Sequence, residues 1–298
     1  QKNMFINNVS SDGNHVDGLG SVFSFKLISY ALSQIYRLKF INNPLKNILG
    51  AEFLQISNSE YDSKLNEYFD LPYKNVGSSD KEIFDVFFNH PKKPELSNYE
   101  FKLNTLKKNQ LFKLFSRNIK KITDQNIIKS LSAGLPTESN KKYFKDGLNI
   151  VFHLRAPLPS IDVRFEPSRD YFYGSYKNVD RVNNLIRQIE HSKNDIRCNF
   201  HIIALGDKEN FSLIDNQIDK NDIFIHSDLN IFESFSMMVD NDLFIGTTSG
   251  LSYIAHLLNR NSVAFPMNTG FGPKPLYTDV QILNEDGFFK KLDFMTSF

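Results

Sequence analysis

Three short stretches hold residue types whose spacing suits the binding of a phosphorylated ligand. The first is Phe152-His153-Leu154-Arg155-Ala156-Pro157, at the end of an apolar run. The planar guanidinium of Arg155 is built to engage two phosphate oxygens at once. His153 lies two residues earlier and shares a face with Arg155 in an extended chain. The ordinary alternative is a structural ion pair. The second is Gly246-Thr247-Thr248-Ser249-Gly250-Leu251-Ser252, small hydroxyl residues between an apolar run and a helix start. Unpaired backbone N–H groups and the helix dipole make such a turn an anion site. Thr247, Thr248 and Ser249 add hydroxyls. Plain N-capping is the simpler use of the same residues. The third is Phe224-Ile225-His226-Ser227-Asp228, where Asp228 would accept from a base or ribose hydroxyl. Glu233, on the next helix, would do the same. Taken singly, each is an ordinary surface acid.

Several other chemistries are set aside by spacing. The turn is not a nucleophile elbow, because Thr247 stands where Gly-x-Ser-x-Gly needs its first glycine. It is not a Walker loop, because no Gly-Lys-Ser/Thr follows. Asp240-Asn241-Asp242 has the Asp-x-Asp form of metal-dependent sugar transferases, but it precedes a strand, so loop capping is expected. The seven His residues show no His-Glu-x-x-His spacing, and a single Cys198 forms neither a cysteine zinc site nor an internal disulfide. No zinc site is therefore expected, and none of these motifs calls for a cofactor.

The elements that position these residues are legible from periodicity. Leu148–Leu154, 200–205, 222–226, 243–245 and 262–265 read as strands. Helices are expected over 179–189, 231–239 and 251–258, with apolar residues such as Val182, Leu185, Ile186 and Ile189 at helical spacing. Regular alternation of this kind predicts a doubly wound parallel sheet. Earlier in the chain, 4–9 reads as a strand. Gly13, Gly18 and Gly20 punctuate a turn, and 21–37 reads as a helix with Ser21 at its cap or first turn. Residues 39–41 form the next strand, and 57–132 reads as largely helical, with capping-box spacing at Ser79–Glu82. The Ala133–Ser139 stretch, rich in Gly, Pro and Ser, reads as a linker. The expected domains are 1–145 and 146–298.

Composition limits the class. A chain of 298 residues suits two domains, and 41% hydrophobic residues exclude disorder. No run approaches the ~18 apolar residues of a membrane span. A net charge of +1 gives no reason to expect nucleic acid. The lone cysteine and the lack of a visible signal peptide point to a reducing, cytoplasmic setting. The near-neutral total hides an imbalance. Pro91–Asp146 holds 13 Lys/Arg against five acids, a local +8, which leaves −7 elsewhere. Such a segment is either a solvated helical face or a surface for an anionic acceptor or membrane headgroups.

In this order the motifs resemble those of the fucosyltransferase superfamily, which includes bacterial α-1,2 and α-1,6 enzymes and the protein O-fucosyltransferases. Asp17-Gly18-Leu19-Gly20-Ser21 is similar to the N-terminal Gly-rich loop of that group. His153-Leu154-Arg155 is similar to its His-x-Arg motif. Phe232–Phe235 through Thr248–Ala255 resembles its final helix, strand and Ser-rich turn. The likeness spans the first ~40 residues and most of 148–266. Two departures stand out. Ala156-Pro157 replaces the Gly-Asp that often follows the arginine, and the chain has none of the Trp residues common in the last motif of α-1,2 enzymes.

The resemblance implies a GT-B-like α/β fold, two Rossmann-like domains facing a cleft, and a metal-independent inverting transfer of fucose from GDP-fucose to a glycan or glycolipid hydroxyl in surface polysaccharide synthesis. It makes Arg155 the clamp on the departing diphosphate. Thr247, Thr248, Ser249 and Gly250 would hold that diphosphate from the other side. His153 would position sugar or phosphate, and Asp228 and Glu233 would meet the nucleoside. Gly18, Leu19 and Gly20 would bring backbone close to the donor. The base for the acceptor hydroxyl would be Asp17, then His15, with Asp162, Glu166 and Asp170 as further carboxylates. An ordinary turn is the other reading of Asp17.

Overall fold

The computed structural model describes residues 5–7, 18–36, 39–41, 44–46, 48, 51–70, 108–132, 135, 142–154, 179–192, 196–204, 222–247, 249–259, 261–266 and 280–283. The chain divides into two compact units, residues 1–133 with 273–276 and residues 134–272 with 277–298. The break falls at the start of the Ala133–Ser139 stretch.

In the first unit, β1 (Phe5–Asn7) and β2 (Lys39–Ile41) pair in parallel, with Phe5 opposite Lys39. A parallel pair needs a crossover, and α1 (Leu19–Ile35) lies between the two strands in the chain. Phe23, Leu27, Ile28, Ala31 and Leu32 recur at helical spacing and are buried. Gly18 is the N-cap, and its carbonyl accepts from Ser21 N at 3.0 Å. The helix starts at the buried Leu19, so Ser21 lies in its first turn, as one of the two expected placements has it, and Gly18 takes the cap. Lys26 is buried within α1; burial pulls its pKa down to about 8, with Asp70 opposing.

Two short helices, α2 (Ala51–Leu54) and α3 (Asn58–Tyr68), follow. After them come α4 (Lys108–Asp124) and α5 (Lys129–Ser132). Asn118 Nδ2 on α4 donates to the Tyr36 hydroxyl at 2.8 Å, tying α4 to the end of α1. Leu114, Phe115, Ile119 and Ile122 form the buried side of α4. Lys113, Arg117, Lys120 and Lys121 are exposed on the other. The expected capping box at 79–82 lies outside the described residues.

The second unit contains β3 (Leu148–Leu154), α6 (Val179–Ser192), β4 (Cys198–Ala204), β5 (Ile223–His226), α7 (Ile231–Val239), β6 (Leu243–Ile245), α8 (Gly250–Leu258), β7 (Ser262–Pro266) and β8 (Val280–Leu283). All six strands are parallel, in the order β5-β4-β3-β6-β7-β8. The α/β parallel sheet is as the alternation predicts; β8 is an addition. Numbered from β3, the order is 3-2-1-4-5-6, that of a doubly wound dinucleotide fold.

One face of this sheet carries Ile150, Phe152, Phe200, Ile202, Leu243 and Ile245, packed with Val182, Leu185, Ile186 and Ile189 of α6. The side-chain period of two then sends Asn149, Val151, His153 and His201 to the opposite face. At the amino ends, Asn149 N donates to Asp242 Oδ2 at 2.7 Å and Asp242 N donates to the Asn149 carbonyl at 3.0 Å. Asn241 Nδ2 donates to the Met237 carbonyl at 2.6 Å, and Asp240 caps α7. The Asp-x-Asp residues therefore hold the α7–β6 connection together, as their place before a strand predicts.

Candidate functional site

Beside β3 lies β6, with Phe152 opposite Ile245, so their carboxyl ends emerge side by side. This is where the strand order reverses, since β4 and β5 build outward on one side and β7 and β8 on the other. Ligands of open α/β sheets bind at such a reversal, outside the carboxyl ends.

His153 ends the β3 side of this point and the turn 246–249 ends the β6 side. They are joined. His153 Nδ1 lies 2.6 Å from Ser252 Oγ, and the same oxygen accepts from Thr247 N at 3.1 Å. Ser249 is the N-cap of α8, its oxygen accepting from Ser252 N at 3.3 Å. Ser249 N donates to the Thr247 carbonyl at 2.8 Å. His153, Thr247, Ser249 and Ser252 are all buried. The Thr247 amide is thus engaged inside the turn, while Gly250 and Leu251, half-buried, supply the first amides of α8. The N-terminus of an α-helix leaves such amides without intrahelical partners.

The two acids expected to meet a nucleoside lie on the β5 side. Asp228 is exposed just past the end of β5. Since β5 is two strands from β3, roughly 9–10 Å separates their ends, about the reach from a phosphate to a nucleoside. Glu233 is engaged in the protein itself. Asn230 Oδ1 accepts from Phe232 N and Glu233 N, both at 2.9 Å, and Glu233 Oε2 returns an acceptor to Asn230 N at 3.3 Å, a complete capping box. Its other oxygen accepts from Lys142 Nζ at 2.6 Å and from the Tyr143 hydroxyl at 2.9 Å. Burial works to raise the Glu233 carboxyl, but the hydrogen bonds from Lys142, Tyr143 and the Asn230 amide outweigh it and hold the group below its usual range. The same bond holds Lys142 above its own.

Behind these residues runs a chain of imidazoles with no counterpart in the sequence reading. His201 Nε2 lies 3.1 Å from Asn149 Oδ1, and His201 Nδ1 lies 3.1 Å from His226 Nε2. The His201 ring stacks on Phe224 and on His226, and Tyr143 meets His226 edge-on at 5.3 Å. Burial, with His226 and Lys145 adding to it, pushes the His201 pKa down to about 3. Burial lowers His226 too, against the pull of Asp228.

Of the residues singled out from sequence, His153, Thr247, Ser249 and Gly250 come together, Asp228 stands at the neighbouring strand end, and Glu233 sits at the start of α7. Gly18, Leu19 and Gly20 open α1 in the first unit; the φ of −70° at Gly18 is one any residue adopts, and a Cβ there would meet nothing within 4 Å. Arg155, Thr248, Asp17 and His15 lie outside the described residues. Ser252 was missed. Its only sequence signal is its position three residues after the cap Ser249, which places it back over the turn.

No family model matches this chain, and no curated protein matches it. Among solved structures, the chain is similar to a selenomethionine form of the fucosyltransferase NodZ from Bradyrhizobium, at 11% identity over 87% of this chain and 93% of that one, with a TM-score of 0.39. NodZ α-1,6-fucosyltransferase soaked with GDP-fucose aligns at 11% identity, over the same shares of the two chains, also with a TM-score of 0.39. The form co-crystallised with GDP aligns at 10% identity over 87% and 93%, with a TM-score of 0.39.

Proposed function

We propose that this protein is a glycosyltransferase that takes a nucleotide-sugar donor at the carboxyl ends of β3 and β6. One observation carries the reading: at the reversal of strand order, His153 and the 246–249 turn form one hydrogen-bonded unit beside the first amides of α8. A diphosphate laid there meets helix-end amides and an imidazole, with Arg155 one residue beyond the end of β3. Asp228 stands in the direction a nucleoside would extend.

The finer reading follows the motif resemblance. The donor is GDP-fucose, the fold GT-B-like and the transfer inverting and independent of metal. The acceptor hydroxyl oxygen attacks the anomeric carbon, the bond from that carbon to the diphosphate oxygen breaks, and the electron pair leaves with the diphosphate. Arg155 stabilises that developing charge. The hydroxyl proton passes to Asp17, or to His15. The acceptor is a glycan or glycolipid, met at a cytoplasmic membrane surface through the basic side of α4. Two other readings compete: a different nucleotide sugar, and a non-catalytic nucleotide- or glycan-binding protein.

Melting shifts with GDP, UDP, dTDP and their sugars, together with nucleotide release from each sugar, decide among them. Release from GDP-fucose that Arg155→Ala abolishes is the expected result. Release from another donor alone replaces the sugar. No shift and no release with any of them overturns the enzyme reading.

A further inference from the structure

We infer that Ser252 is a positioning residue that holds His153 as a neutral imidazole with its proton on Nε2, so that His153 presents an N–H, not a base, to an anionic oxygen of a ligand. The last clause rests on the reading above, and the tautomer does not.

The argument is a count of hydrogens and lone pairs. A serine hydroxyl has one proton and two acceptor sites. Ser252 Oγ is fully buried. One of its acceptor sites takes the Thr247 N–H at 3.1 Å. Among the described residues, His153 Nδ1, at 2.6 Å, is the one acceptor within reach of its proton. A buried hydroxyl proton left without an acceptor is costly. The arrangement that satisfies the Ser252 hydroxyl has it donating to an unprotonated Nδ1, which places the ring proton on Nε2. If Nδ1 carried the proton instead, the Ser252 hydroxyl proton would have no acceptor among the described residues.

The consequence reaches the ligand. An N–H donor is matched by phosphate or carboxylate oxygens and does not take the proton of an attacking hydroxyl. This agrees with a positioning role for His153 and leaves the role of general base to a carboxylate or to His15. The link also couples two elements. Thr247 N, Ser252 Oγ and His153 Nδ1 form one chain, so a shift of the turn moves the imidazole.

The test uses the full chain labelled with 15N-histidine, the His153 signals being identified by their loss in His153→Gln. The wild type should show an unprotonated-type Nδ1 and a protonated-type Nε2 at neutral pH. Ser252→Ala should show a mixture of tautomers, and Ser252→Thr, which keeps the hydroxyl, should restore the single one. Pyrophosphate binding, read by calorimetry, should weaken roughly fivefold in Ser252→Ala, the loss of about one neutral hydrogen bond. A protonated Nδ1 in the wild type overturns the inference, whether or not the variants fold. So does a His153 spectrum unchanged by Ser252→Ala. If the tautomer behaves as stated and the wild type binds neither pyrophosphate nor GDP, the nucleotide-sugar reading and the ligand clause fall together, and the Ser252 lock stands alone.

Discussion

His153 and Ser252 are 99 positions apart in the chain and 2.6 Å apart in space. One ends β3, the other sits in the first turn of α8, and the contact exists because β3 and β6 are neighbours in the sheet. The end of β3 and the turn before α8 are thereby held together by the protein's own hydrogen bonds. Fixed groups bind with less loss of freedom.

His153→Ala should weaken GDP binding by roughly 10- to 150-fold, the span for a hydrogen bond to a charged partner. Calorimetric titration of wild type and variant reads this directly. Equal affinities would remove His153 from the site.

Acid should destabilise the second unit through His201. Its folded pKa of about 3 lies below the ordinary histidine value of 6.5, so between those limits the unfolded chain binds more protons than the native one. Stability is full above pH 6.5 and falls as pH drops towards 3, by at most about 1.4 kcal/mol per pH unit for each such group. His226 is shifted the same way and adds to the slope, while Asp228 moderates it. Urea denaturation at pH 7, 6, 5 and 4 should show a shallower fall in His201→Gln than in the wild type.

Gly147 has φ of +106° just before β3, and a Cβ there would run into the Arg197 carbonyl, the group that accepts from Leu148 N. Gly147→Ala should cost about 1–3 kcal/mol in chemical denaturation, because both the backbone conformation and the space are wrong for a side chain. A change within experimental error would show that the β3–β4 entry adjusts freely.

Phe200→Ala should cost about 3–5 kcal/mol. The ring is fully buried against Phe152 and lies on the face that packs against α6. An unchanged denaturation midpoint would contradict that packing.

The basic side of α4 predicts salt-sensitive adhesion to anionic lipid. Lys113, Arg117, Lys120 and Lys121 are exposed on one side, and each basic residue near such a surface contributes about 1 kcal/mol. The protein should co-sediment with phosphatidylserine vesicles at low salt and release at high salt, where the screening length shortens to a few ångströms. Replacing all four by Glu should abolish the effect. Equal binding to neutral phosphatidylcholine would assign it to something else.

The sequence by itself determined the local elements and their faces. Strand and helix over 148–154, 179–189, 231–239 and 243–258 follow from periods of two and 3.6, which are properties of neighbouring residues. The anion-suited turn and the strand-end His153 were legible for the same reason. Strand order was not, because every strand of a parallel sheet is an apolar run that would pair with any other. Tertiary packing set β6 beside β3, and with it the meeting of His153 and Ser252. It also gave Glu233 to Lys142 and Tyr143, and brought His201 to Asn149 and His226. Those partners lie up to 91 positions away, and no local pattern of side chains records which distant group a buried polar atom will find.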